Sequence, residues 1–156
     1  YGGGQELGLR SGTLPTHQTV GMGLAFEIAE REREADVARI KALRDRLWSG
    51  LSQLEDVELN GHPEQRVCSV LNVSFHGIEG ESLLFGLPEL ALSTGSACAS
   101  ASEAPSYVLR ALGRSDQVAQ SSLRLSLGRF TTEADIDAAI GAIRREVTRL
   151  RALAPH

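Results

Sequence analysis

The sequence predicts an α/β fold in which long helices pack on a small mixed sheet. Helical and strand-like segments alternate along the 156 residues, and the two longest helical segments lie near the two ends of the chain. The 42% of hydrophobic residues is enough for a packed core. The length fits one domain, or one domain with a piece of another.

The first long helix is predicted over residues 14–54, because apolar residues recur there at spacings of three and four. The charged run at 30–39 covers the other face of this helix and is typical of a solvated surface with local ion pairs. The apolar positions of the helix are Leu24, Ala25, Ile28, Ala29, Val37, Ile40, Leu43, Leu47, Leu51 and Leu54.

Turn residues at 60–63 separate that helix from a strand predicted over 67–75. A short helix over 81–86 and a brief strand over 90–92 are expected next. The brief strand leads into a loop of small residues at 93–104. The residues expected to share one face of the 67–75 strand are Val67, Leu71, Val73 and Phe75.

After the loop, Pro105 suits the first turn of another helix, and Gly113 is placed to end it. Leucines then alternate with polar residues over 121–127, which predicts a strand with one buried and one solvated face. The buried face would carry Leu123, Leu125 and Leu127, and the solvated face Ser122, Arg124 and Ser126.

The chain closes with a helix predicted over 132–153, which Thr131 or Thr132 can cap. Its apolar residues form one stripe, as expected of a helix that packs on a core. The stripe consists of Ile136, Ile140, Ile143, Val147 and Leu150.

Composition and charge disfavour several classes of function. The net charge of −4 and the aromatic content of 4% give no basis for nucleic-acid binding. Cys68 and Cys98 form no C-x-x-C pair, and no apolar run approaches the length of a membrane span, so neither a disulfide scaffold nor membrane binding is predicted. The amino end carries no secretory signal, and we expect a cytoplasmic protein. The four histidines are scattered, and no metal site is predicted.

Cys98 is the main candidate for chemistry. It lies in a run of small residues, 93–102, that cannot pack a core and that leaves one thiol on a pliable loop. The alternative is a flexible linker that happens to hold a cysteine. The chemical interpretation is favoured, because a free cysteine is usually a small buried hydrophobe and this one lies in the least buriable stretch of the chain.

Two further segments have binding potential. Glycines 2–4, followed by Arg10, Ser11 and Thr13 ahead of a helix, suit a phosphate, although the spacing matches neither the dinucleotide fingerprint nor the nucleotide P-loop. A glycine-rich turn with Thr13 as a helix cap explains that segment equally well. Arg124, on the polar face of its strand, is shaped to hold a carboxylate through two hydrogen bonds, and the alternative is an ordinary surface arginine.

Six ordered blocks of this sequence, which together run almost end to end, resemble the pyridoxal-phosphate-dependent cysteine desulfurases of the NifS/IscS kind, in the class V aminotransferase family. The blocks are 2–6 with 9–15 (GGGQE and LRSGTLP), 71–75 (LNVSF), 80–83 (GESL), 93–102 (STGSACASAS), 105–113 (PSYVLRALG) and 126–133 (SLGRFTTE).

The resemblance implies the carboxyl-terminal portion of a fold-type I enzyme. Residues 1–33 would end the large pyridoxal-phosphate domain, and residues 34–156 would form the small α+β domain that carries the cysteine loop at 93–104. The resemblance also implies that the intact enzyme is a homodimer.

The resemblance also assigns roles to individual residues. Cys98 would be the nucleophile that takes sulfur from L-cysteine as a persulfide, leaving L-alanine. Arg124 would bind the substrate carboxylate, Thr13 would reach the cofactor phosphate across a dimer interface, and Asn72 would lie near the active site. The sulfur would pass to an acceptor or scaffold protein for iron–sulfur cluster assembly and other sulfur transfer.

The family pattern requires a lysine to bind the cofactor, and the sole lysine here is Lys41, in the charged helix. We therefore expect the cofactor lysine upstream of Tyr1 and an isolated chain with little or no turnover. The start in a glycine run without a methionine agrees with a fragment or a processed chain. Leu7 departs from the family, where arginine is common, and puts a charge contact near the cofactor or dimer interface in doubt.

Two other classes of function stay open. One is a noncatalytic persulfide carrier or thiol redox module, for which Cys98 suffices and Arg124 has no task. The other is a structural or interaction domain whose loop is a linker. Faster reaction of Cys98 than of Cys68 with a thiol reagent would disfavour the structural class, because Cys68, predicted on a strand, is expected to belong to the core.

Overall fold

The computed structural model describes residues 2–93 and 105–153. The chain contains both helices and strands, and its two long helices are the first and last of the main elements, so the predicted class with both element types is confirmed. The elements are a 3₁₀ turn at Glu6–Gly8, α1 (Thr16–Leu51), β1 (Val57–Leu59), β2 (Val70–Phe75), α2 (Gly80–Phe85), α3 (Tyr107–Ala111), α4 (Asp116–Gln120), β3 (Ser122–Ser126) and α5 (Glu133–Leu153). Strict alternation is not observed among these described elements, because β1 and β2 follow each other and so do the three short helices α2, α3 and α4.

The chain divides into two compact units, Tyr1–Asp36 and Val37–His156. In the first unit, the charged residues of α1 form local ion pairs, Arg33 Nε to Glu30 Oε2 at 3.3 Å and Arg31 Nη2 to Glu32 Oε1 at 3.1 Å, which confirms the predicted solvated face. The predicted apolar face is not buried there: Leu24, Ala25 and Ala29 are exposed, and Ile28 is half-buried.

The second unit contains a three-stranded sheet of order β1-β2-β3, in which both pairings are antiparallel. The expectation of a mixed sheet is therefore corrected for the described strands. The connection between β1 and β2, residues 60–69, is shorter than the crossover of a dozen or more residues that a parallel pair needs. Antiparallel pairing of these two strands follows from that length.

One face of the sheet forms the core together with the two long helices. Successive side chains of a strand point to opposite faces, so the leucine alternation of β3 and the matching pattern of β2 place their apolar residues on one side. Val67 was predicted on this face but is 65% exposed, because β2 begins only at Val70. The buried residues include Leu71, Val73, Phe75, Leu123 and Leu125 of the sheet, Ile40, Leu43, Leu47 and Leu51 of α1, and Ile136, Ile143 and Val147 of α5.

The shorter elements agree with the sequence in part. The helix predicted at 81–86 is confirmed as α2, whereas Leu90–Leu92 form no strand and only Ser93 pairs with β3. The helix predicted after Pro105 is α3. Gly113 ends it in the left-handed conformation, at φ 80°, and its amide donates to the Arg110 carbonyl at 2.9 Å.

β1 and α4 were not predicted. β1 has three residues, too few to show an alternating pattern. α4 has a readable start signal, since Ser115 Oγ accepts a hydrogen bond from Val118 N at 3.3 Å as an N-cap, with Asp116 in the first turn. Along the described stretches, none of the helices combines the length and apolar character that crossing a bilayer requires.

α5 begins with a reciprocal cap. The Asp135 amide donates to Thr132 Oγ1 at 3.2 Å, and the Thr132 amide donates to Asp135 Oδ2 at 2.9 Å. The prediction of Thr132 as a cap is confirmed, while Thr131 instead accepts a hydrogen bond from Gly128 N at 2.9 Å.

We expect Thr132→Ala to lower the free energy of unfolding by about 1 kcal/mol at neutral pH, because it removes this cap. The hydrogen bonds from the Thr132 amide and hydroxyl hold the pKa of Asp135 below its ordinary value. A carboxyl with a lowered folded pKa stabilises the fold above its unfolded pKa, about 3.9, and loses that contribution as pH falls through the folded value. The difference between wild type and variant should therefore shrink below about pH 4.

Urea unfolding at pH 7 and pH 3 measures this effect. Thr148→Ala is the matched control, since Thr148 is exposed in the middle of α5 and caps nothing. An equal loss of stability in both variants would contradict the cap.

Candidate functional site

Arg124 lies on the polar face of β3, opposite the core. Its Cα pairs with that of Asn72 on β2, and its backbone N donates to the Ser93 carbonyl at 2.7 Å. Its side chain is exposed, and within the described residues the structure records no hydrogen bond or ion pair on its guanidinium. Arg124 therefore stands beside Asn72 on one side and beside the residue that precedes 94–104 on the other.

Asn72 is half-buried on the same polar face. Its Oδ1 accepts a hydrogen bond from Asn60 Nδ2 at 2.7 Å, and Asn60 is only 4% exposed. No described residue accepts a hydrogen bond from Asn72 Nδ2. Cross-strand neighbours have Cβ atoms about 4.5–5.5 Å apart, so Asn72 and Arg124 can reach one ligand together.

Sequence reasoning placed Asn60 in a turn and missed the cluster around it. Asn60 also donates to Ser74 Oγ at 2.7 Å, and its Oδ1 accepts from Arg114 Nε at 2.7 Å. Ser122, which the alternation predicted on a solvated face, is fully buried, and so is its neighbour Ser74. A usable signal is the row of small polar residues at alternate positions of β2 and β3.

Thr13 lies in the first unit, before α1. The helix begins at Thr16, and the Pro15 carbonyl accepts hydrogen bonds from Gln18 N at 2.9 Å and Thr19 N at 3.0 Å. Thr13 therefore does not cap this helix, and the prediction of Thr13 as a helix cap is wrong. Its side chain is exposed, with no hydrogen bond to its hydroxyl recorded among the described residues.

Another hydrogen-bond donor of this amino-terminal segment, Arg10, already makes hydrogen bonds within the segment. Arg10 Nη1 donates to the carbonyls of Gly12 at 3.2 Å and Thr13 at 3.4 Å. Leu7, where the resemblance expects arginine, is 97% exposed with φ 57°.

Of the two cysteines, only Cys68 lies within the described residues. Cys98, with the rest of 94–104, lies outside the described residues. Cys68 is a free, half-buried thiol that packs against the core just before β2, so its core character is confirmed although it is not on a strand. Within the described parts of the chain, no three His, Cys, Asp or Glu side chains gather as a metal ion would require.

Lys41 forms a surface ion pair. Its Nζ lies 2.8 Å from Asp45 Oδ2, one helical turn away, and its side chain is 60% exposed. Burial raises the pKa of Asp45, but hydrogen bonds from Lys41 and Arg44 outweigh burial and leave that pKa lowered. Lys41 is thus an exposed lysine paired with a carboxylate.

Comparison with known proteins gives consistent matches. The model of the family Aminotransferase class-V matches residues 3–139. Cysteine desulfurase IscS of Klebsiella pneumoniae is 59% identical over 99% of this chain, and that of Edwardsiella ictaluri is 58% identical over the same share. The chain spans 38% of the length of these curated relatives.

Solved structures agree with these matches. A NifS-like protein superposes with a TM-score of 0.82 at 32% identity, over 96% of this chain and 38% of that one. A NifS-like protein from Rickettsia africae superposes with a TM-score of 0.80 at 26% identity, over 94% of this chain and 39% of that one.

Proposed function

Because this chain belongs to the class V aminotransferase family, we propose that it is the carboxyl-terminal part of a pyridoxal-phosphate-dependent cysteine desulfurase. The substrate is L-cysteine, and the products are L-alanine and a persulfide on Cys98. The 59% identity to IscS supports this reaction.

The observation that carries the proposal is the hydrogen bond between the backbones of Arg124 and Ser93, at 2.7 Å. Ser93 precedes Cys98 by five residues, and five residues of polypeptide span at most about 18 Å. The proposed carboxylate anchor and the proposed nucleophile are thus joined through a short stretch of chain. Asn72 supplies a second polar group at the same place.

The proposed reaction balances in atoms and electrons without an added oxidant or reductant. The Cys98 thiolate attacks the sulfur of L-cysteine, a bond forms between the two sulfurs, and the Cβ–S bond breaks. The carbon takes a proton, so a thiol and L-cysteine become a persulfide and L-alanine. Arg124 holds the substrate carboxylate in two hydrogen bonds, which fixes the sulfur for attack.

The described residues fit only part of a pyridoxal phosphate site. The exposed Thr13 hydroxyl suits a contact with the phosphate, proposed to reach it across a dimer interface. Lys41 does not fit as the cofactor lysine, because it is exposed and paired with Asp45. When bound, the cofactor supplies an electron sink that lets the α proton of the amino acid leave. We place its lysine in sequence outside these 156 residues.

The domain boundary belongs to the same proposal. Residues 1–33 would end the large domain and residues 34–156 would form the small one. The division of the chain between Asp36 and Val37 supports a boundary close to that point. We further propose a cytoplasmic homodimer that passes its sulfur to an acceptor or scaffold protein for iron–sulfur cluster assembly, with neither nucleic acid nor membrane as a partner.

The proposal is tested by measuring L-alanine formed from L-cysteine with pyridoxal phosphate and a thiol reductant. The chain is assayed alone and mixed with the lysine-bearing part of a cysteine desulfurase. We expect L-alanine only from the mixture. No L-alanine in either sample, with a persulfide that can be loaded chemically onto Cys98, would instead favour the noncatalytic carrier.

We expect Lys41→Ala to leave L-alanine formation by the mixture within about twofold of wild type, because an exposed helix ion pair of this kind contributes only about 0.3–0.5 kcal/mol. Arg33→Ala, which removes one member of another exposed ion pair of α1, is the matched control. Loss of activity in the Lys41 variant alone would contradict our placement of the cofactor lysine.

A further inference from the structure

A directional chain of hydrogen bonds crosses the polar side of the sheet and begins at Arg114. Arginine only donates hydrogen bonds, so the Asn60 atom that contacts Arg114 Nε at 2.7 Å must be the acceptor Oδ1. Arg114 is held in place by the Leu59 carbonyl, at 3.0 Å from its Nη2, and by Glu58. The orientation of the Asn60 amide is therefore set by a fixed cation.

The other end of the chain fixes the same orientation independently. Ser122 Oγ donates to the Val118 carbonyl, which can only accept, at 2.7 Å. The hydroxyl proton of Ser122 is thereby used, so Ser74 donates to Ser122 across the 2.7 Å contact between their oxygens. Ser74 must in turn accept from Asn60 Nδ2, at 2.7 Å. Both ends require that Nδ2 of Asn60 faces the sheet.

The orientation of the Asn60 amide determines the orientation of the Asn72 amide. Asn60 Nδ2 directs its two protons to its two near acceptors, Ser74 Oγ and Asn72 Oδ1, each at 2.7 Å, and lies farther from Ser122 Oγ, at 3.4 Å. Asn72 therefore keeps its acceptor inside and has only its Nδ2 donor left for a ligand. The neighbouring Arg124 also presents donors only. Two adjacent donors suit a carboxylate and disfavour a cation or a second donor.

We propose that Asn60 is a positioning residue, which together with Arg114 fixes the Asn72 amide so that its N–H groups face the ligand carboxylate beside Arg124. This inference rests on the proposed function for the identity of the ligand. It goes beyond it by assigning a role to two residues that do not touch the substrate.

Asn60→Asp is the sharpest test, because the two side chains have the same shape. The introduced carboxylate can still accept from Arg114, but it cannot donate to Asn72 Oδ1. The side-chain amide of Asn72 should then flip, so that its N–H groups donate to this carboxylate and its oxygen faces the substrate carboxylate. In the mixed enzyme with pyridoxal phosphate, we expect the KM for L-cysteine to rise about tenfold, as for a lost hydrogen bond to a charged group, with kcat within about twofold.

Ser74→Ala is the matched control. It removes a buried partner of Asn60 while leaving the hydrogen bond between Asn60 and Asn72 in place. We expect its KM to stay within about twofold of wild type. An equal rise of KM in both variants would overturn the proposal, since general damage to the buried cluster would then explain the effect.

Nuclear magnetic resonance of the 156-residue chain tests the relay without turnover. In the wild type, the Asn60 side-chain N–H protons should exchange slowly with water and those of Asn72 quickly. In Asn60→Asp, the Asn72 protons should become at least about tenfold more protected. Protected Asn72 protons in the wild type would overturn the proposal even if the variant fails to fold. Absence of desulfurase activity in the wild type, with this exchange pattern intact, would instead refute only the proposed function.

Discussion

Replacing Cys98 with alanine is expected to lower L-alanine formation from L-cysteine by at least about a thousandfold, because the variant has no thiol at the position of the proposed nucleophile. Cys98→Ser should be equally inactive, since a hydroxyl is not ionised near neutral pH as a thiol can be. The measurement is L-alanine by amino-acid analysis, in the mixture of chain, lysine-bearing part and pyridoxal phosphate.

Cys68→Ser is the control for this result. Cys68 is half-buried against the core, so its loss should affect stability more than rate. A persulfide that forms normally in the Cys98 variants, or that disappears in the Cys68 variant, would refute the assignment of the nucleophile. Mass spectrometry of the intact chain, with and without reductant, detects the extra sulfur directly.

Arg124→Lys is expected to lower kcat/KM for L-cysteine about a hundredfold, which corresponds to about 2.7 kcal/mol of transition-state stabilisation. The charge is retained, but an ammonium group cannot form the paired, planar hydrogen bonds that a guanidinium forms with a carboxylate. The exposed Arg124 side chain has no competing contact within the described residues, so the fold should tolerate the change.

Arg144→Lys is the matched control, because it makes the same charge-conserving substitution at another arginine. Arg144 is exposed on α5, and its replacement should leave kcat/KM within about twofold. Activity of Arg124→Lys equal to wild type would remove the arginine from the site. Such an outcome would keep the desulfurase reaction but would require another residue to bind the substrate carboxylate.

The outward position of Arg124 on β3 was predictable from the sequence, because successive side chains of a strand lie on opposite faces of the sheet. Leu123 and Leu125 must enter the core, so Arg124 must leave it. Its pairing with Asn72 was not readable, because the register and direction of strands depend on contacts between distant segments. Asn60 was missed for the same reason, since it reads as a turn residue until the chain folds it against β2.

The first long helix shows a second limit of pattern reading. Its spacing correctly predicted a helix, and from Ile40 onward the apolar face is largely buried. Before that point, predicted positions such as Leu24 and Val37 belong to the same pattern but remain exposed. A period of 3.6 reports that a helix has an apolar face, and it carries no information about which residues cover that face.

The alternation in β2 and β3 divides their residues by parity. Odd-numbered positions, such as Leu71, Val73 and Leu123, hold the core, and even-numbered positions, such as Asn72 and Arg124, hold the polar face. A library that varies Arg124 and Ser126 therefore samples binding specificity at nearly constant thermal stability, because both side chains are exposed. Asn72 is excluded, since it accepts a hydrogen bond from the buried Asn60. Substitutions at exposed positions of the polar face therefore mainly change ligand binding, whereas substitutions on the core face mainly change stability.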